Sequence, residues 1–219
     1  MVETAESAYK EGRQAKVPLM IGNCSGEIGG AFVSTSNSKE ELFAQFGDLV
    51  EEVKDAYDPD GNKEFAEVQT KFNTDWVWGE PARMTARAFI AIGEPAYVYH
   101  FGYVPAAMRE RARYGAGHGS EVSYVFGNLN SRWGASEPTP DEEKLAQIMN
   151  SYWTNFAKTG NPNGESLPNW PLYNMQNEEI LDIELNGKPV GKPDPRKARL
   201  DVIEKAFRFR DRVQSRGGI

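Results

Sequence analysis

The sequence predicts an α/β fold, in which strands alternate with helices. Three observations carry that prediction. Short apolar runs at 17–23 (VPLMIGN), 96–104 (AYVYHFGYV) and 180–185 (ILDIEL) have the length and composition of buried strands. The stretches around them carry helical spacing, most clearly at 38–57, 63–92, 140–158 and 196–213. With 219 residues, 39% of them hydrophobic, the chain is long enough to bury a core.

The elements follow in order. Residues 3–16 are polar and read as a short helix or a surface approach. The run at 17–23 stops in small, turn-prone residues, as a buried strand entering a loop does. Over 38–57, Leu42, Phe46, Leu49, Val50 and Val53 share a helical face, with Ser38 at the N-cap and Glu41 three residues on. The turn Asp58-Pro59-Asp60-Gly61 ends that helix. The helix over 63–92 is expected to break near Gly79-Glu80-Pro81. After the strand at 96–104, a glycine-rich loop, YGAGHGSEV (114–122), leads into SYVFGNL. Thr139 caps the helix at 140–158, with Pro140 in its first turn, acids beside it and Gly160 at its end.

Composition narrows the function classes. Twenty-five basic against 32 acidic side chains leave a net charge of −7, which argues against a nucleic-acid binder. The longest apolar runs fall far short of the roughly 20 residues a membrane helix needs. The chain does not open on a basic segment and an apolar stretch, so no signal peptide is expected. One cysteine, Cys24, excludes an internal disulfide, and with two histidines it leaves few zinc ligands.

Two side chains stand where α/β sheets place ligands, beyond the carboxyl ends of strands. Glu27 lies in the glycine-rich loop after the first strand, and His118 lies in the glycine-flanked loop after the second. An acid preceding a histidine is also the chain order of the last two triad members in α/β-hydrolases. In such a triad imidazole takes the serine proton, and the carboxylate fixes its tautomer and stabilises the imidazolium.

The segments around these residues carry a family resemblance. GAGHGSEVSYVFGNL (115–129) resembles the histidine loop of the type-B carboxylesterases and cholinesterases. VPLMIGNCSGEIGG (17–30) is similar to that family's acid loop, and YWTNFAKTGNPNGESLPNWPLYN (152–174) to its late helix and loop. The resemblance implies the C-terminal part of an α/β-hydrolase fold, a partial and mostly parallel sheet flanked by helices, with residues 1–219 forming one portion of a single domain. It implies Glu27 and His118 as the catalytic acid and histidine, and a structural role for Glu121. The acid loop departs from the usual pattern at Cys24, Gly26 and Ile28, where asparagine, aspartate and glycine are common.

The serine of that triad has no candidate here. No serine has glycine at both −2 and +2, as the G-x-S-x-G turn requires, and Gly164-Glu-Ser-Leu-Pro168 makes Ser166 a decoy. Neither His100 nor His118 opens an HGGG-type oxyanion segment. The expected function is therefore a C-terminal segment of a carboxylic-ester hydrolase, supplying Glu27 and His118 and inactive alone, with no cofactor and no metal. The partner is a small-molecule carboxylic ester once the site is completed, with no nucleic acid and no membrane span. A sheet edge normally covered by the remainder predicts self-association of the isolated chain. The rival is a non-catalytic relative, truncated or kept for binding or adhesion.

Other signals read as ordinary structure. His100 is a strand residue, and Ser25, Ser120 and Cys24 are loop residues. Phe72, Trp76, Trp78 and Phe89 fall on a segment that the resemblance places beside an acyl gorge, against a plain reading as core. Trp153, Phe156 and Trp170 are packing residues. Asp58, Asp60 and Asn62 imitate the start of a calcium loop, but Lys63 replaces its glycine and Gln69 its glutamate, which leaves a solvated turn. Arg208, Arg210, Arg212 and Arg216 read as a solvent-facing helix end.

Overall fold

Parallel strands cannot be joined by tight turns, so each pair needs a long crossover, usually helical. The computed structural model of the chain describes residues 3–27, 36–131 and 137–216, without the side chains of 131 and 209–216. Ile28, Gly29 and Gly30 of the acid loop, and the side chains of Arg210, Arg212 and Arg216, lie outside the described residues. The helices are α1 (Ala5–Lys10), α2 (Lys39–Ala44), α3 (Val50–Tyr57), α4 (Phe65–Thr74), α5 (Glu80–Ala91), α6 (Val122–Val125), α7 (Pro140–Thr159) and α8 (Lys197–Arg216). The strands are β1 (Leu19–Cys24), β2 (Ala96–Phe101), β3 (Glu179–Ile183) and β4 (Pro189–Pro193).

The four strands form one sheet in the order β1-β2-β3-β4. β1 and β3 flank β2 in parallel, with Leu19 opposite Ala96 and Tyr99 opposite Leu181. β4 returns antiparallel to β3. The apolar runs thus become the three parallel strands, whose continuous hydrophobicity reflects cover on both faces. On one face Tyr97, Tyr99, Phe101, Leu181 and Ile183 pack against Leu145, Met149 and Tyr152 of α7. On the other, Ala96, Val98 and Ile180 meet Ala86 and Ile90 of α5. A third cluster joins α2, α3, α4 and α8 through Leu42, Val53, Tyr57, Phe72 and Ile203. Ion pairs lace α5 to α8: Arg83 reaches Glu80 at 2.6 Å, Asp201 at 2.7 Å and Glu204 at 3.2 Å.

Several expected elements change form. The helix expected over 38–57 is two helices, because Gly47 adopts φ 53° in a 3₁₀ turn between them, a conformation that ends α-helical geometry. Ser38 caps α2 as expected, accepting from the Glu41 N–H at 3.2 Å, while the Glu41 carboxylate accepts from the Asn37 N–H at 2.6 Å. The interruption expected near Gly79 occurs, but as a change of helical geometry rather than an end of the helix. A π-helical turn, Asp75–Gly79, carries α4 into α5, and Pro81 sits in the first turn of α5, where its missing N–H costs little. The capping box at Thr139 and Glu142 forms in full, and α7 ends at Gly160 with φ 75°. β4 was not expected, since PVGKP carries two prolines and a glycine, residues tolerated only on an edge.

Candidate active site

Glu27 and His118 follow the carboxyl ends of the adjacent parallel strands β1 and β2, and the structure brings them together. His118 Nδ1 lies 2.5 Å from Glu27 Oε2. The other carboxylate oxygen, Oε1, accepts the Cys24 N–H at 2.7 Å, and the Glu27 N–H donates to Thr74 Oγ1 at 3.1 Å. The acid is therefore held at three points, with its side chain 4% exposed, while the histidine is 66% exposed. The Trp78 ring lies over the imidazole, with centroids 5.1 Å apart and planes tilted by 32°.

The two loops are welded by main-chain contacts. The Gly26 N–H donates to Ala116 O at 2.8 Å, and the Ala116 N–H donates back to Ser25 Oγ at 2.9 Å. Gly115 permits this approach: a Cβ there would lie 2.6 Å from Ser25 Oγ, on a backbone with φ 139°. Ser120 closes the far side of the histidine loop by donating to Gly117 O at 2.6 Å. Glu121 ties the loop back to β1, its Oε2 accepting from the Cys24 thiol at 2.9 Å. Burial, followed by the negative charges of Glu121 and Glu27, pushes that thiol far above its ordinary range. Cys24 is thus a protonated, buried donor and not a nucleophile.

The remaining sequence candidates separate from this pair. His100 points to Asp182, with Nδ1 to Oδ1 at 2.9 Å, and burial lowers its pKa. Ser166, at φ 63°, sits in a turn closed by the Leu167 N–H to Gly164 O. That loop starts at Gly160, against Pro18 at the amino end of β1, whereas His118 lies beyond the carboxyl ends. Phe72 and Trp76 belong to the helical core and Phe89 packs edge-on against Tyr9, so of the four aromatics Trp78 alone touches the pair. The turn at Asp58 is closed by lysine: Asp58 Oδ2 meets Lys39 Nζ at 2.6 Å, and Oδ1 accepts the Lys63 N–H at 3.0 Å. Thr74 and Ser25 are contacts that sequence reasoning missed, since an isolated hydroxyl binding main chain leaves no pattern.

Among the described residues, no group of three or more His, Cys, Asp or Glu side chains is arranged to hold a metal ion. No described helix is long and apolar enough to cross a membrane.

Comparison with known proteins agrees with this architecture. A profile of the carboxylesterase family matches residues 1–202. Rat (Rattus norvegicus) carboxylesterase 1C is 38% identical over 112 residues, which is 50% of this chain and 20% of that protein. The medium-chain fatty acyl-CoA hydrolase precursor of the duck Anas platyrhynchos is 41% identical over 109 residues, 48% of this chain and 18% of that one. A thermophilic PNB esterase superposes with a TM-score of 0.70 at 30% identity, covering 92% of this chain and 41% of its own. A carboxylesterase of Geobacillus stearothermophilus gives 0.69 at 26% identity, covering 90% and 42%. The stretch matched to these curated relatives is thus about a fifth of their length, and the chain spans about two fifths of the solved esterases. The sheet, the paired loops and the profile together place this chain in the carboxylesterase family.

Proposed function

We propose that this chain is the C-terminal portion of a type-B carboxylesterase-like α/β-hydrolase domain, and that Glu27 and His118 are the acid and base of its Ser-His-Glu triad. The observation that carries this reading is the 2.5 Å contact between His118 Nδ1 and Glu27 Oε2, on loops leaving neighbouring parallel strands. With Nδ1 committed to the carboxylate and the side chain 66% exposed, Nε2 is the nitrogen left to exchange protons. It would take the proton of a serine hydroxyl as that oxygen attacks an ester carbonyl, and then pass it to the leaving alcohol. In the second half it would activate water against the acyl-serine. Glu27 holds the tautomer and stabilises the imidazolium.

The serine and the oxyanion donors are assigned to another segment, because no G-x-S-x-G or HGGG-type sequence occurs here. Loss of oxyanion donors alone costs on the order of 10²–10³ in turnover, and loss of the nucleophile removes the covalent route. The purified chain is therefore expected to hydrolyse a chromogenic short-chain ester no faster than its His118→Ala variant. Hydrolysis that disappears on that substitution would overturn the inactivity. Co-expression with a segment bearing both missing motifs is expected to yield His118-dependent hydrolysis. A soluble complex without it would favour the binding-type alternative.

The same reading predicts association. Among the described strands β1 is paired only with β2, so no described strand lies along its outer edge, although Cys24 at its end is bonded by Glu27 and Asn23. The isolated 24.5 kDa chain is expected to elute ahead of its monomer position on size exclusion. A sharp monomer peak would contradict this.

A further inference from the structure

We infer that Lys71 is a positioning residue for the Glu27–His118 pair, acting as a clamp that joins the two loops carrying it. The inference rests on the triad reading above for the meaning of the pair, but its geometry stands separately. Lys71 lies on α4, and its ammonium donates to Tyr114 O at 2.7 Å and, at a longer 3.4 Å, to Ser25 O. Ser25 stands two residues before the acid, and Tyr114 stands at the entrance to the histidine loop. One side chain therefore bonds the main chain of both loops. Thr74, one turn further along α4, accepts the Glu27 N–H at 3.1 Å, so a single helix face grips the acid loop on both sides of Gly26.

The site of this amine gives a physical reason for its role. Lys71 lines a cavity of about 620 Å³ at the entrance to the histidine loop, shared with Ser25, His100, Tyr114 and Asp182. Burial, and next the positive charge of Arg199, lower its pKa to about 8, with Asp75 and Glu67 opposing that shift. Both acceptors are carbonyls rather than carboxylates, so a desolvated cation is held where its donors order backbone instead of pairing with another charge. In either protonation state the amine keeps enough N–H groups for two bonds. Without it, the main chain of the two loops would be joined by the Gly26–Ala116 and Ala116–Ser25 contacts, beside the side-chain bonds Glu27–His118 and Cys24–Glu121. The imidazole would then be less closely registered on the carboxylate.

The test reads the two histidines chemically. Diethyl pyrocarbonate acylates an imidazole nitrogen, and a carboxylate on Nδ1 raises the reactivity of Nε2. Mass spectrometry separates the His118 adduct from any formed on the buried His100. In Lys71→Met, His118 is expected to react about threefold or more slowly, approaching the rate in Glu27→Gln. Amide exchange over 23–27 and 114–118 is expected to accelerate about tenfold, the equivalent of about 1.4 kcal/mol of local opening. The urea midpoint and the exchange of α7 should not move. A Lys71→Met chain that keeps the wild-type His118 rate, or unchanged exchange in both loops, overturns the clamp while a slow Glu27→Gln leaves the pair intact. A Glu27→Gln chain reacting at the wild-type rate sinks the pairing instead, and loop exchange then decides the clamp alone. If Lys71→Met does not unfold cooperatively, Lys71→Gln, too short to span both carbonyls, takes its place. Collapse of both variants would assign Lys71 to the fold as a whole and overturn the positioning role.

Discussion

Replacing Trp170 with alanine is expected to lower the free energy of unfolding by about 3–5 kcal/mol, the range for removing a large buried aromatic. Trp170 is fully buried between the sheet and α7. Its ring centroid lies 5.3 Å from Tyr152, 5.7 Å from Trp153, 6.1 Å from Tyr99 and 6.3 Å from Tyr97, so one deletion breaks four aromatic contacts. Its indole N–H also donates to Val98 O at 3.0 Å. The carbonyl is part of β2, so the deletion also removes a hydrogen bond that ties this loop to the sheet. Trp170→Phe should cost less, because it restores most of the volume but not the donor. Urea unfolding at one fixed protein concentration measures both, since self-association would otherwise shift the midpoint. A change under 1 kcal/mol in Trp170→Ala would show that this layer does not behave as a packed core.

The second large effect is electrostatic. Asp194→Ala is expected to cost about 3–5 kcal/mol, because it strands a buried guanidinium. Arg196 Nε meets Asp194 Oδ1 at 2.9 Å and Nη2 meets Oδ2 at 2.8 Å, a bidentate pair with side chains 4% and 5% exposed. Nη1 donates to Asn23 Oδ1 at 2.9 Å, which fastens the start of α8 to β1 just before the acid loop. The double variant Asp194→Leu/Arg196→Met should lose less than Asp194→Ala, since no charge is then left unpaired. The pH dependence follows from the same pair. Burial pushes the Asp194 carboxyl up, but the charge and hydrogen bonds of Arg196 more than offset it and hold the pKa below the ordinary value. A carboxyl depressed in the folded state stabilises fully above its unfolded pKa and loses that contribution as pH falls through the folded one. Below about pH 4 the wild-type urea midpoint should therefore decline more steeply than that of Asp194→Asn. Parallel profiles would contradict the assignment.

The parts of this fold that were legible in the sequence are those whose causes are local. Central parallel strands are covered on both faces, so β1, β2 and β3 show as unbroken apolar runs. Helix α7 writes its own boundaries, with Thr139 and Glu142 at one end and Gly160 at the other. Where local signals conflict with tertiary packing, the reading slipped. Gly47 interrupts a stretch whose apolar spacing continues through it, and Pro81 suggests a break that a π-turn absorbs. β4 exists because β3 offers it a ladder, and nothing in Pro189-Val-Gly-Lys-Pro193 favours a strand by itself.

The candidate site divides along the same line. Glu27 and His118 came from motif resemblance, and both sit in loops that strand ends already marked. Their supports did not show: Thr74, Ser25 and Lys71 act on main-chain N–H and carbonyl groups brought near by the crossover. A bond to backbone constrains only the supporting residue, so it leaves no matched partner in the sequence. Cys24 is the complementary case. The sequence reads it as a small loop residue, whereas it is the last residue of β1 and, buried beside Glu121, keeps its thiol protonated.

The parallel pairing of β1 with β2 has a consequence for how the molecule is made. The Glu27–His118 contact joins positions 91 residues apart, and Asn23 meets Arg196 across 173. Contacts of such high order form slowly, because chain entropy is spent before any contact rewards it, whereas α7 closes through neighbours. At translation rates of about 5–20 residues per second, the acid loop emerges roughly 5–20 s ahead of the histidine it will hold. During that interval β1 lacks β2, the strand it pairs with among those described, and its hydrogen-bonding groups on that side stay open until β2 arrives.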